Sequence, residues 1–287
     1  MPETVKNCPL CGSDTSHVFD TRNFRGYTIH NRVCAHCGLV FQSPRMVSNE
    51  LDAFYASEYR RLYQGEEGPN PKDLLNQEER ASALLSFTID EIPTITRHLD
   101  IGSSAGCLLE KFQDHYQNEA VGVEPGDAYR RYAQSRGLSI YPNITDLKNA
   151  TESKFDLISM AHVLEHLPDP IGYLTSLREQ FLLPHGRLLI EVPNLYCHDS
   201  FEVAHLTSYS MHTLHQTLRH SGYEIIKEES HGRPRSGLLG LYLTVLAKPG
   251  TQVSVIKPEK MVAKKRQLGM FRRRVLQKLF PKQAWIR

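Results

Sequence analysis

The stretch that decides the fold is His98-Leu99-Asp100-Ile101-Gly102-Ser103-Ser104-Ala105-Gly106, which predicts a β-strand, a tight turn and the start of an α-helix. Apolar residues open it, and a helical pattern of apolar residues follows its second glycine. Gly102 gives the backbone the freedom that a sharp turn requires. One of the two serines, Ser103 or Ser104, is expected to cap the helix, because a hydroxyl can accept a hydrogen bond from its free N–H groups.

A second predicted strand follows this helix along the chain. The apolar run Ala120-Val121-Gly122-Val123 ends in Glu124, which lies 22 positions after Gly102. An acid at the tip of the second strand of such a unit is placed to accept hydrogen bonds from the two hydroxyls of a ribose. The pattern therefore predicts a site for a nucleoside-containing cofactor.

Two classes of cofactor are compatible with the glycine turn. A dinucleotide site favours G-x-G-x-x-G, and the matching positions here are Gly102, Ser104 and Cys107, so a single glycine agrees. An S-adenosylmethionine site favours an acid followed by G-x-G-x-G. The matching positions are Asp100, Gly102, Ser104 and Gly106, of which three agree and the fourth is a small residue. The loop alone leaves both readings open.

Composition indicates a soluble globular protein. The chain has 287 residues, of which 40% are apolar, enough for one ordinary domain and a small module. It has no apolar run as long as the roughly 18 residues of a membrane span. The first residues lack the basic-then-apolar order of a signal peptide. We therefore expect a cytoplasmic protein with reduced thiols.

The charge of the chain is unevenly distributed. The net charge is +2, and residues 248–287 hold 12 Lys and Arg against one acid, which gives +11. The other 247 residues therefore carry 2 − 11 = −9. An acidic body argues against nucleic acid as the main partner, because phosphate contacts require Lys and Arg.

Four of the six cysteines form two knuckles with the spacing C-x2-C, 22 residues, C-x2-C: Cys8, Cys11, Cys34 and Cys37. Four thiolates at this spacing predict a closed tetrahedral zinc site with a structural role. A redox pair or a disulfide is the alternative for a single C-x2-C. Residues 1–45 are accordingly expected to form a zinc ribbon, with strands over Tyr27–Val33 and Leu39–Phe41.

Residues 46–92 read as a helical cap or linker. Apolar and tyrosine side chains recur there at helical spacing. Such tyrosines usually pack in the core, and the alternative is a hydroxyl that faces a substrate. Tyr55 and Tyr59 are the candidates of this kind, and Tyr59 is the one carried into the predicted site.

From residue 93 to residue 248 the pattern alternates between strand and helix, which predicts a parallel sheet. Candidate strands are Arg97–Ile101, Ala120–Glu124, Leu138–Tyr141, Phe155–Met160, Arg187–Val192, Tyr223–Glu228 and Leu241–Ala247. Candidate helices are 105–117, 126–136, 170–182 and 211–221. Ligands of open parallel sheets bind at the carboxyl ends of the strands. Four polar residues follow predicted strand ends: Asp100, Glu124, His162 and Asn194.

The run from Phe155 to Pro170, FDLISMAHVLEHLPDP, resembles the "FD-x-I … VLEH-x-x-DP" segment of class I S-adenosylmethionine-dependent methyltransferases. Further matches lie at residues 99–106, 121–125, 186–194 and 205–210, in the expected order. The resemblance covers roughly residues 95–248. It implies a Rossmann-like α/β fold with a seven-stranded sheet, its last strand antiparallel, and helices on both faces. It also implies that Asp100, Gly102, Ser104, Gly106, Glu124 and His162 border the bound cofactor.

The order of the two domains, a zinc ribbon followed by a methyltransferase domain, resembles that of sugar C-methyltransferases. In those enzymes a "Y-H-E-H-L-x-Y-F-S" run carries the acid/base residues. The matching run here keeps the histidine as His205, whereas Glu202 and Ala204 replace the tyrosine and the glutamate. The resemblance implies His205 as the acid/base residue and a sugar or nucleotide-linked sugar as the acceptor. His162 is the second candidate base, and Tyr59 or His162 is expected to orient His205.

Two other functions are also compatible with the sequence. The alternatives are an RNA methyltransferase with a zinc module and a scaffold that binds S-adenosylmethionine without turnover.

Residues 249–287 predict a basic amphipathic helix with Leu268, Phe271, Val275 and Leu279 on one stripe. Such a helix packs on its own protein, lies on an anionic membrane or contacts nucleic acid. No oligomeric state is predicted.

Overall fold

The computed structural model describes residues 3–47, 50, 51, 54 and 68–285. The strands are β1 (Ser16–Phe24), β2 (Tyr27–Cys34), β3 (Val40–Gln42), β4 (Arg97–Ile101), β5 (Glu119–Val123), β6 (Ser139–Tyr141), β7 (Phe155–Ala161), β8 (Leu182–Pro193), β9 (Thr207–Ser208), β10 (Tyr223–His231) and β11 (Tyr242–Pro249). The helices are α1 (Pro71–Thr88), α2 (Cys107–Tyr116), α3 (Asp127–Ser135), α4 (Ile144–Ala150), α5 (Pro170–Ser176), α6 (Met211–His220), α7 (Val262–Leu279) and α8 (Pro281–Ala284).

Seven of these strands form one mixed sheet in the order β10-β11-β8-β7-β4-β5-β6. Strand β4 pairs in parallel with β5 and with β7, so Ile101 lies opposite Val123 on one side and Met160 on the other. The hairpin of β10 and β11 is antiparallel. The predicted Rossmann-like α/β fold with a seven-stranded sheet and an antiparallel last strand is therefore confirmed.

The chain divides into two compact units, and β8 contributes to both. One unit contains Asn49–Ala161 and Glu179–Leu189, and it carries β4, β5, β6 and β7. In its core, Leu109 of α2 and Ala133 of α3 pack with Ala120 and Ile140 of the sheet. Alternating strands and helices produce this packing, because each helix covers the apolar face of the strands beside it.

The other unit contains Met1–Ser48, His162–Arg178 and Ile190–Arg287. Its four-stranded sheet has the order β1-β2-β3-β9. The short strand β9 comes from the segment between β8 and α6, and it pairs antiparallel with β3, so that Phe41 lies opposite Thr207. The cysteine-rich segment thus extends its sheet with a strand that lies far away in the sequence.

Several predicted element boundaries differ from the structure. The helix expected over 170–182 is α5 followed by a π-helical turn at Leu177–Phe181, and β8 begins at Leu182. Helix α4, capped by the Asn143 side chain, was missed because it covers seven residues with a single buried side chain. None of the described helices combines the length and the apolar character that a membrane span requires.

Candidate active site

The turn between β4 and α2 contains three residues with left-handed backbone, Gly102 (φ 74°), Ser104 (φ 51°) and Gly106 (φ 85°). A Cβ atom on Gly106 would lie 2.2 Å from Cδ1 of Leu138. Helix α2 starts directly after Gly106 and has no side-chain cap. The predicted cap by Ser103 or Ser104 is therefore wrong, because the left-handed Gly106 occupies the cap position itself.

Glu124 closes this turn from the carboxyl end of the neighbouring strand β5. The residue is buried, and its Oε2 accepts the backbone N–H of Ser104 at 2.8 Å. Its Oε1 accepts the N–H of Gly126, also at 2.8 Å. A carboxylate offers about four lone pairs. The predicted ribose-binding acid is thus held rigidly by the turn and retains capacity for two hydroxyl donors.

Asp100 ends a buried hydrogen-bonded chain within the same unit. Its Oδ1 accepts the hydroxyl of Ser159 on β7 at 2.6 Å, and Ser159 Oγ lies 2.7 Å from His98 Nε2. Burial lowers the pKa of His98 to about 3, so the ring is neutral and donates through Nε2. Burial also raises the pKa of Asp100 to about 7. A cation bound beside Asp100 would favour the ionised carboxylate.

A second polar group lies in the other unit, where His162 directly follows β7. Its backbone is left-handed (φ 58°) and its N–H donates to the carbonyl of Glu191 at 2.8 Å. His162 Nε2 lies 3.1 Å from Oε1 of Glu191, and Nδ1 lies 3.4 Å from Oε1 of Glu165. The other Glu191 oxygen lies 3.2 Å from His231 Nε2. Both ring nitrogens of His162 therefore face buried carboxylates.

Glu165, His166 and His205 form a cluster next to His162, in which Glu165 and His205 are buried and His166 is half-buried. The rings of His166 and His205 meet edge to face with centroids 4.8 Å apart. Burial lowers the pKa of both imidazoles, that of His166 to about 4, which keeps both rings neutral near pH 7. Burial opposes ionisation of Glu165, but His162 and the other imidazoles outweigh it and lower the pKa of that carboxyl. The ligand atoms of the three residues lie within 4.8 Å of one another, close enough to share a cation.

His205 is oriented by the backbone of its own loop. Nδ1 lies 2.7 Å from the carbonyl oxygen of Ser200, an acceptor, so Nδ1 carries the proton and Nε2 carries the lone pair. Nε2 lies 4.0 Å from Oε2 of Glu202. A neutral imidazole in this tautomer can accept a proton at Nε2. Tyr59, the predicted third member of the site, lies outside the described residues.

The four cysteines of the two knuckles lie together. The sulfur atoms of Cys8 and Cys37 are 3.5 Å apart, as are those of Cys11 and Cys34, and all four lie within 4.8 Å of one another. None is part of a disulfide. The backbone N–H groups of Cys37 and Leu39 point at Sγ of Cys34 and Cys37. Four sulfur donors with amide support match the ligand set of a closed zinc site.

Several residues of these sites were not found from the sequence. Gln77 on α1 accepts the N–H of Ala105 through Oε1 at 3.2 Å. Glu191 and His231 are brought together only by the order of β8, β11 and β10. One signal was present for Glu191, because a single acid interrupts the apolar run of β8. The sequence analysis also did not identify Gly126. A Cβ atom on Gly126 would lie 2.7 Å from Oε1 of Glu124.

Comparison with known proteins agrees with this geometry. A family model for a methyltransferase domain matches residues 74–228, which is more than half of the chain. The chain is 30% identical over 106 residues to a ubiquinone biosynthesis O-methyltransferase of Actinobacillus pleuropneumoniae, covering 33% of this chain and 45% of that protein. It is 38% identical over 101 residues to the protein of the same name from Cereibacter sphaeroides, covering 33% and 39%. The matched segment thus spans less than half the length of these relatives.

Solved structures give the same fold. The chain is similar to the 1,6-didemethyltoxoflavin-N1-methyltransferase of Burkholderia thailandensis, crystallised with 1,6-didemethyltoxoflavin and S-adenosylhomocysteine, with a TM-score of 0.57 and 18% identity over 82% of this chain and 99% of the other. It is similar to an S-adenosylmethionine-dependent methyltransferase of Leishmania major, with a TM-score of 0.53 and 15% identity over 70% and 82%. The chain belongs to the methyltransferase-domain family and carries a class I S-adenosylmethionine-dependent methyltransferase domain.

Proposed function

We propose that this protein transfers a methyl group from S-adenosylmethionine to a hydroxyl oxygen of a small molecule. The observation that carries the proposal is the turn from Gly102 to Gly106, with buried Asp100 before it and Glu124 held against it. The names of the curated relatives, all O-methyltransferases, support oxygen as the acceptor atom. A sugar or nucleotide-linked sugar remains the acceptor class that the sequence resemblance favours.

The cofactor side of the site follows from the chain's own groups. When bound, the cofactor supplies a methyl group on a sulfonium sulfur, which leaves as a neutral thioether. Glu124 accepts the ribose hydroxyls with the lone pairs that the turn leaves unused. Asp100 provides the negative charge that a cationic cofactor requires, and Gly102, Ser104 and Gly106 allow it to lie close to the backbone.

His205 is the group that takes the proton. With the cofactor bound, the acceptor oxygen would form a bond to the methyl carbon as the thioether leaves, and His205 Nε2 would accept the hydroxyl proton. The carbonyl oxygen of Ser200 fixes the required tautomer because it accepts the hydrogen bond from Nδ1–H of His205. This carbonyl supplies the orienting partner for which Tyr59 or His162 was the sequence-based candidate. General-base help of this kind contributes about 10²–10⁴-fold.

His162 has a different role in this proposal. Its two ring nitrogens face Glu191 and Glu165, so it gives polar partners to carboxylates that would otherwise be buried without compensation. Glu165, whose pKa is lowered by the neighbouring imidazoles, lies next to His205. A nearby carboxylate stabilises the imidazolium that forms when His205 receives the proton. His162 thus acts as a positioning residue for the base.

We further infer that Cys8, Cys11, Cys34 and Cys37 hold one structural zinc ion. A three-stranded segment of this size buries little apolar surface, so a metal supplies much of its stability. The four sulfurs leave no open coordination position, which excludes the ion from the methyl transfer itself. Cysteines that are not oxidised to disulfides suit a reducing, cytoplasmic setting.

The experiment that tests the function has two steps. Calorimetry first compares S-adenosylmethionine, S-adenosylhomocysteine and NAD, and we expect the first two alone to bind. Labelled S-adenosylmethionine is then incubated with a pool of nucleotide sugars and, separately, with a pool of phenols. Label in an ether product from either pool supports the proposal and selects the acceptor class. Binding of NAD, or cofactor binding without transfer to any acceptor, contradicts it; the second result describes a scaffold.

A further inference from the structure

Helix α7 presents its large apolar side chains to solvent. Leu268 is 70% exposed, Leu279 62% and Phe271 58%, and Val275 on the same stripe is also exposed. The face toward the protein carries Arg266, which is 8% exposed and donates to the carbonyls of Leu195 and His198. An amphipathic helix of a globular protein normally buries its apolar stripe. In α7 these four side chains face solvent instead.

The inward face holds the helix in place without help from the apolar stripe. Arg266 also pairs with Asp199 at 3.1 Å. Val262 lies in an apolar cluster with Val40 and Phe201. Gly269 passes so close to the backbone that a Cβ atom would lie 2.0 Å from the carbonyl oxygen of Tyr196. The exposed stripe is therefore available for a partner, and its substitution leaves the attachment of α7 intact.

The charge of α7 indicates the chemistry of that partner. The 18 residues of the helix include seven Lys and Arg and no acid. At about 100° per residue, Lys278 and Arg272 fall on opposite sides of the apolar stripe, and Lys264 lies in line with it, one turn before Leu268. These three and Arg274 are exposed. None of the four forms an ion pair with another residue that the structure describes.

We propose that α7 is a docking surface for an anionic lipid bilayer, lying in the plane of the interface. The apolar stripe enters the boundary between headgroups and acyl chains, and the flanking cations contact the headgroups. A second copy of α7 is disfavoured because it would bring the same four exposed cations against this face. A nucleic acid is disfavoured because four large apolar side chains occupy the centre of the surface, where phosphate contacts need cations. The proposal is independent of the proposed methyl transfer.

The test uses the full chain and sedimentation with vesicles. Vesicles are made of phosphatidylcholine alone or of an equimolar mixture with phosphatidylglycerol. We expect binding to the anionic vesicles, at least tenfold weaker binding to the neutral ones, and release by salt because the attraction is screened. The variant Leu268→Ser/Phe271→Ser removes half of the stripe, and we expect it to weaken anionic-vesicle binding at least tenfold. Leu75→Ser, at a leucine 56% exposed on α1, is the matched control and should bind as the parent does.

Three outcomes would overturn the proposal that α7 docks on an anionic bilayer. Equal sedimentation with the two kinds of vesicle, or no loss in the Leu268→Ser/Phe271→Ser variant, removes the lipid surface as the partner. A dimer in analytical ultracentrifugation that the same variant dissociates assigns the stripe to a second copy. Binding to a homopolymeric RNA that Arg272→Gln/Arg274→Gln abolishes, with no vesicle binding, assigns it to nucleic acid. Unchanged binding of S-adenosylhomocysteine in all variants shows that they are folded.

Discussion

The backbone N–H of Gln42, on β3 of the cysteine-rich segment, donates to the carbonyl of Leu206 at 2.8 Å. Leu206 is the neighbour of His205 in the sequence. The Gln42 side chain donates as well, through Nε2 to the carbonyl of Glu202 at 3.2 Å. The cysteine-rich segment therefore supports the loop that carries the proposed base from both ends. We infer from these two hydrogen bonds that the proposed zinc ribbon positions His205.

Loss of the metal should consequently reduce turnover more than cofactor binding. We expect Cys37→Ser to lose the zinc ion, because all four thiolates close the coordination shell. The His205 loop then loses its support, and turnover falls by about tenfold to a hundredfold. Affinity for S-adenosylmethionine should stay within about threefold, since general-base positioning acts on the transition state. Metal analysis and kinetics check this; a Cys37→Ser protein that keeps one zinc and full activity contradicts it.

Glu124 should contribute directly to cofactor affinity. Its carboxylate accepts the Ser104 and Gly126 amides at 2.8 Å and retains lone pairs for the ribose. Glu124→Ala removes the acceptor for the ribose and releases the turn, so we expect a loss of about 1.5–3 kcal/mol in binding. Glu124→Gln, which keeps one acceptor oxygen, should lose less. Calorimetric affinities that are equal for the parent and both variants refute the assignment.

Burial of Asp100 predicts a pH dependence of stability. Its pKa is raised from 3.8 to about 7, so the native state holds a proton that the unfolded state releases near pH 4. The unfolded state binds fewer protons in this window, and the free energy of unfolding contributed by Asp100 falls as the pH rises from about 4 to about 7. Asp100→Asn keeps an acceptor for Ser159 and removes this effect. Relative to the parent, we expect the variant to gain on the order of 4 kcal/mol between pH 4 and pH 8 in urea unfolding of the ligand-free protein. Parallel stability curves for the two proteins would falsify this prediction.

Alanine substitutions at Gly106 and Gly137 should separate two contributions to the loss of stability, the strain of a left-handed backbone and the steric overlap of the added Cβ. Both are left-handed, with φ of 85° and 90°. A Cβ on Gly137 meets nothing within 4 Å, whereas on Gly106 it lies 2.2 Å from Leu138 Cδ1. We expect Gly137→Ala to cost about 1–2 kcal/mol for the backbone alone. Gly106→Ala should cost about 1–3 kcal/mol more because of overpacking. Equal unfolding midpoints for the two variants rule out the steric contribution.

The sequence predicted the parallel core well and the long-range polar contacts poorly. Strand β4 was predicted over Arg97–Ile101 and is found there, because a short apolar run before a glycine turn is a local signal. Strand β9 has two residues and exists through its pairing with β3, so no local pattern announces it. The contact of Glu191 with His231 likewise depends on the order of strands in the sheet. The serine cap failed because Gly106 competes for the same position.

His205 should be the residue on which turnover depends most. Its Nδ1 proton is committed to Ser200, which leaves the Nε2 lone pair to receive the hydroxyl proton. Burial lowers its pKa below the usual 6.5, so the neutral base persists into mildly acidic solution and the acid limb of the rate profile should lie below pH 6.5. His205→Asn preserves the approximate shape and removes titration near neutrality. We expect turnover to fall by about 10²-fold or more and the acid limb of the rate profile to disappear, whereas cofactor affinity should stay within about threefold of the parent.

His162→Asn is the matched variant. It removes the ring that faces Glu165 and Glu191, and should lower thermal stability and turnover together while keeping the acid limb. The opposite pattern, near-normal turnover in His205→Asn and none in His162→Asn, would make His162 the base and the resemblance to the sugar C-methyltransferases misleading at this position.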